Sequence, residues 1–144
     1  MEKPEIVRHS PERLHVVEYL LLGEVRYGPA YFSIRLDGRI LADVVVGEEG
    51  LWLNDALYAA QEWLTTEERF GPNTRVLLID AARRVSSKFR VLEHGFVDSF
   101  GIQDGLIRYK KRKYSTRGES VIEAEVELKD IQNWTPIEFS QSSS

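Results

Sequence analysis

Apolar and polar residues alternate most clearly near the C-terminus, where Ile122, Ala124, Val126 and Leu128 interleave with Glu123, Glu125 and Glu127. A period of two marks a strand with one buried face. The preceding Leu106–Tyr114 stretch pairs with it naturally across a Ser115–Gly118 loop. In that register Arg108 meets Glu125 and Lys110 meets Glu123, while Ile107 meets Val126 and Tyr109 meets Ala124. Opposite charges facing each other across a ladder contribute roughly 0.2–1 kcal/mol each, so both faces favour the same register. The period recurs in Ala30–Leu36, where Phe32, Ile34 and Leu36 alternate with Ser33 and Arg35. Asp37-Gly38 then predicts a tight hairpin turn, with Arg39–Val46 as the returning strand and Gly47–Gly50 as an acidic connector. Arg75–Asp80 is apolar on both faces, so it predicts a strand covered on both sides, either by its own chain or by an oligomer contact at Val76 and Leu78. Glu5–Arg8, Arg83–Leu92 and Thr135–Phe139 read as further strands, with Glu93–Asp98 as a link.

Two stretches suit either regular structure. Ser10-Pro11-Glu12 is a good helix start, and Leu14, Val17 and Leu21 keep a helical spacing, yet Val16, Val17, Tyr19 and Leu20–Leu22 suit a buried strand. Ala56–Arg69 is rich in helix formers, but Tyr58–Trp63 also fits an inner strand in which alanine lets neighbouring sheets approach. Alignment of the chain with itself bears on the choice. Leu57 falls on Leu14 and on Leu106, Gly71-Pro72 falls on Gly28-Pro29, and Leu77 and Ile79 fall on Val126 and Leu128. Three related units follow, 5–46, 50–93 and 99–139, within a single domain 1–139 that ends in a disordered tail, 140–144. Aligned segments share a backbone course, so the C-terminal hairpin favours strands throughout and an all-β fold of antiparallel meanders. The alternative is an α+β fold with helices at 11–22 and 55–69.

Trp52–Ala60 followed by Arg75–Asp80 resembles the β-propeller blade, in which a polar turn precedes a small-residue inner strand and a later apolar strand ends in aspartate. The resemblance implies a propeller-like ring of blade-like units. Three units per chain further imply that two chains, as a homodimer, complete it.

Composition narrows the chemistry. With 144 residues, of which 42% are hydrophobic, the chain suffices for one core, since a domain of this size buries roughly 68–70% of its unfolded surface. There is no cysteine, hence no disulfide, thiolate nucleophile or zinc-thiolate site, as suits a reducing cytoplasm. No apolar run approaches the roughly 18 residues that cross a bilayer, so a soluble protein without membrane attachment is expected. The net charge of −4 argues against a surface generally coated by nucleic acid.

Local charge qualifies that picture. Arg108, Lys110, Lys111, Arg112, Lys113 and Arg117 cluster with Tyr109 and Tyr114. Glutamates across the hairpin neutralise Arg108 and Lys110, which leaves Lys111, Arg112, Lys113, Tyr114 and Arg117 as the candidate binding residues. Trp63 is either core packing or, if exposed, an interface anchor. No catalytic residue, metal site or cofactor is expected. His94 beside Glu93 and Asp98 reads as a connector histidine, and His9 and His15 lack a second ligand at metal-binding spacing. The expected function is therefore non-enzymatic: a protein-binding scaffold, inhibitor or assembly factor with an acidic protein partner. Two alternatives are a ligand-binding or hydrolytic site at a ring mouth using Glu62, Arg69 or Asp80, and RNA binding through the basic hairpin 108–117.

Overall fold

A computed structural model describes residues 3–25, 28–66 and 71–141. Its strands are β1 (Ile6–His9), β2 (Val16–Glu24), β3 (Ala30–Leu36), β4 (Arg39–Ile40), β5 (Val46–Trp52), β6 (Leu57–Trp63), β7 (Thr74–Asp80), β8 (Val85–Lys88), β9 (Gly95–Gln103), β10 (Leu106–Ser115), β11 (Gly118–Glu127) and β12 (Thr135–Pro136). The described residues contain no α-helix, only a 3₁₀ turn at Leu128–Asp130. The fold is all-β and every pairing is antiparallel. The helical alternative is overturned at 11–22, where Val16 onward is strand, and at 55–66, where Leu57–Trp63 is strand; positions 67–69 lie outside the described residues. Every residue of β6 is buried, so packing on both faces overrides the helix propensity of its alanines.

Three successive meanders, β1–β2–β3, β5–β6–β7 and β9–β10–β11, follow the order of the chain. They do not form one sheet each. β3 also pairs with β5, which joins the first two meanders and continues them through β8 to β12 as a nine-stranded sheet, whereas β9–β11 form a separate three-stranded sheet.

Several boundaries differ from expectation. The strand returning from Asp37-Gly38 is only Arg39–Ile40, because β3 shares its second edge between two partners: β4 faces Arg35 and Leu36, and β5 faces Tyr31 and Phe32. Leu41 instead bridges to Phe139, the Ala42 N–H donates to the Glu138 carbonyl, and the Ser140 N–H donates to the Ile40 carbonyl. Ser140 is thus tied down; of the expected tail, 142–144 lie outside the described residues. Gly47–Gly50 is not a connector but part of β5, at a bulge where Val46 faces Glu62 and Gly50 faces Ala60. Likewise the expected strand Arg83–Leu92 shortens to β8, and the expected link Glu93–Asp98 runs into β9 at Gly95. A Cβ at Gly95 would collide with the Arg112 carbonyl, so this close approach of backbones requires glycine.

Side-chain alternation on β6 and β7 builds two cores. Tyr58, Ala60, Leu77 and Ile79 pack with Val17, Tyr19, Phe32, Ile34 and Val46 on one face. Leu57, Ala59, Val76 and Leu78 pack with Val97, Phe100, Ile107 and Tyr109 on the other. The doubly apolar β7 is therefore sandwiched within one chain. Its Val76 and Leu78 face, which suggested a contact between two chains, is covered by β9–β11.

Candidate functional site

The register of the β10–β11 hairpin is the one its alternation predicts: Ile107, Arg108, Tyr109 and Lys110 face Val126, Glu125, Ala124 and Glu123. Ile107 and Tyr109 close the second core. On the same face the next positions are Lys111 and Lys113, opposite Ile122 and Ser120. Among the described residues the second core does not extend beneath them, so the hairpin runs on past it and residues 113–123 are all exposed.

Its charges are distributed differently from expectation. Arg108 pairs with Glu125 at 3.2 Å, but Lys110 makes no ion pair among the described residues. Arg112, expected to be available, reaches diagonally to Asp98 on β9 at 2.8 Å and to Glu119 at 3.4 Å. The hydrogen bond that Arg112 donates to Asp98, reinforced by the carboxylate's charge, holds the guanidinium above its ordinary pKa. Arg112 is therefore removed from the set of available cations. Lys111, Lys113 and Arg117 have no ion-pair partner among the described residues, and Arg117 sits at the hairpin tip.

Tyr114 stands edge-on to Phe96 at 5.9 Å, Phe96 touches Trp63 at 5.9 Å, and Trp63 touches Tyr31 at 5.7 Å. Only Tyr114 of this row reaches the surface strongly, at 37% exposed, whereas Trp63 is 3% exposed. The Trp63 Nε1–H donates to Gln61 Oε1, and Gln61 Nε2 donates to the Val97 carbonyl, each at 2.8 Å. Trp63 thus joins the two sheets internally, and its candidacy as a surface anchor is withdrawn.

The residues considered for a ring-mouth site do not converge. Glu62 is buried against Arg75 at 2.7 Å at one end of the β6–β7 ladder, and Asp80 is bound by Arg83 at 2.8 Å at the other. Arg69 lies outside the described residues. A cavity of about 420 Å³ between the β4–β5 connector, β8 and the C-terminal segment is lined by Asp43, Lys88 and Glu138 but by neither Glu62 nor Asp80. Among the histidines, His15 Nδ1 lies 2.7 Å from Asp37 and its ring stacks on Trp52, and the His94 backbone N–H donates to Asn73. Asp98, bound to Arg112, does not join His94 in a site. Among the described residues no three acidic or histidine side chains gather closely enough to hold a metal ion.

A buried polar group that periodicity does not reveal lies in the first core. Arg8 Nη1 donates to the Tyr58 hydroxyl at 2.8 Å, which is 2.7 Å from the Tyr19 hydroxyl, while Arg8 Nη2 donates to the Glu48 carbonyl. Burial pushes both phenols above their ordinary pKa, well above it for Tyr19. Burial opposes the charge on Arg8, but contact with Tyr58 and Tyr19 outweighs it and raises the guanidinium pKa. The only foreshadowing in the sequence is that Arg8 occupies an inward-facing position of an alternating strand.

Compared with family models, with curated proteins and with solved structures, the chain matches none.

Proposed function

We propose that this chain is a non-catalytic binding protein, such as an inhibitor, scaffold or assembly factor, whose β10–β11 hairpin engages an acidic surface on another protein. The observation that carries this reading is the stranding of Lys111, Lys113 and Arg117 without acidic partners on a hairpin exposed from 113 to 123. Tyr114 adds a partly exposed ring braced from behind by Phe96, the kind of rigid amphipathic contact that interfaces favour. Protein is favoured over RNA because the net charge of −4 gives no general attraction for a phosphate backbone, and a short hairpin tip offers few cations to neutralise one.

Affinity capture from the native cell, with the wild-type chain and a K111E/K113E/R117E variant side by side, tests the reading. The expected result is a partner held by the wild type, released by salt and lost from the variant. Equal capture of that partner by both proteins overturns it.

A further inference from the structure

Among the described strands, β9 and β11 are the outer strands of the smaller sheet, and β11 is the long edge whose only strand partner is β10. β1 is short at 4 residues, β12 has 2 and contains Pro136, and β9 packs across the large sheet. β11 runs for 10 residues, pairs with β10 through an unbroken register, and has no other strand beside it. Natural edges are usually blunted by brevity, proline, a bulge or lysine, and β11 carries none of these.

What guards this edge is one sign of charge. Glu119, Glu123, Glu125 and Glu127 share a face with Val121, and β11 contains no lysine or arginine. Only part of that charge is met from within the chain: Arg108 and Arg112 reach Glu125 and Glu119 from β10, Lys129 reaches Glu127, and Glu123 has no ion pair among the described residues. The opposite face carries Ile122, 61% exposed, followed by Ala124 and Val126, which continue toward the second core. A second copy of β11 laid along this edge would set glutamate beside glutamate, and an acidic strand would do the same.

We infer that the outer edge of β11 accepts an additional strand from another protein: an extended segment that places lysine or arginine on the glutamate face and apolar residues on the Ile122 face. Backbone hydrogen bonds along the open edge supply affinity, and the alternation supplies selectivity. The inference goes beyond the acidic contact of the hairpin tip. It rests on the chain's being a binding protein but not on Lys111, Lys113 or Arg117.

Fluorescence anisotropy on the full chain tests it, using as probe a labelled peptide of about ten residues that alternates lysine and valine, matched to the length of β11. Binding is expected, weakened about three- to tenfold by E123Q/E127Q and not weakened by K111E/K113E/R117E, whose added negative charge favours a cationic peptide. The same peptide N-methylated at every second residue, on the edge that would face β11, is expected not to bind, since it keeps charge and apolarity but cannot extend the ladder. Equal binding of the methylated peptide, equal binding of a glutamate–valine peptide, or no binding at about 1 mM overturns the inference. So does a dimer that forms through β11 while the peptide fails to bind, which would make a second copy the occupant. Equal capture by the wild type and the K111E/K113E/R117E variant, with retention of peptide binding, would sink the proposed function and leave this inference standing.

Discussion

Gly50 lies on β5 where two phenol groups need its space: a Cβ there would collide with the hydroxyls of Tyr58 and Tyr19. Gly50→Ala should therefore cost about 1–3 kcal/mol by overpacking, read as a lower urea midpoint. The same pair of phenols predicts an alkaline limit to stability. Both hydroxyls are held neutral in the folded chain by burial, with pKa values raised above the ordinary tyrosine value of 10.0. The folded state then keeps protons that the unfolded chain releases, so this contribution is complete below pH 10.0 and is lost as pH rises toward the folded values. Urea midpoints should fall above that pH, and the fall should be smaller in a Tyr19→Phe/Tyr58→Phe variant. An equal fall in both proteins would mean that these two phenols do not set the alkaline limit. Residue chemistry alone announces none of this, because Gly50 reads as a turn residue until Tyr19 and Tyr58 are brought across it.

At the level of elements, the β10–β11 hairpin rests on alternation. Arg108 and Glu125 are more than half exposed, so their pair is a modest contributor to its register. Arg108→Glu should cost no more than about 0.2–1 kcal/mol, and R108E/E125R should recover most of it. Thermal denaturation of the single and double variants checks this; a double variant as weak as the single one would mean that residue identity matters beyond charge. This hairpin was legible because its whole register is written in two adjacent segments. β4, β5 and β9 were not legible. Whether Arg39–Val46 continues as a strand depends on which segment occupies the second edge of β3, and Val46 arrives there from β5. The diagonal reach of Arg112 to Asp98 likewise depends on β9 lying alongside β10 with a bulge between Arg108 and Lys110.

The molecule as a whole is held together by β6 and β7, which contribute side chains to both cores. Leu77 points into one and Leu78 into the other, and both are almost fully buried. Leu77→Ala and Leu78→Ala should each lower stability by about 2–5 kcal/mol. Because the two cores share these strands, either variant should still unfold in a single transition, with tryptophan fluorescence and far-ultraviolet circular dichroism coincident. Separate transitions would show that β9–β11 come apart from the nine-stranded sheet as an independent unit. The basic residues of the hairpin could be singled out from the sequence, but which of them remain available could not. Arg112 is spent inside the three-stranded sheet, Trp63 is spent between the sheets, and the edge of β11 is open because no other described strand covers it.

Local patterning by itself determined the strands β3, β7, β10 and β11, the hairpin at Asp37-Gly38, the pairing of β10 with β11 and the need to cover β7 on both faces. Each of these depends on side chains within a few positions or across one turn. Tertiary structure alone decided that the first two meanders merge through β3 and β5, that the third covers β7 within the same chain, and which charges are left unmet. Those outcomes depend on hydrogen-bonding edges and side chains contributed by distant segments, and local periodicity carries no record of which distant segment will arrive.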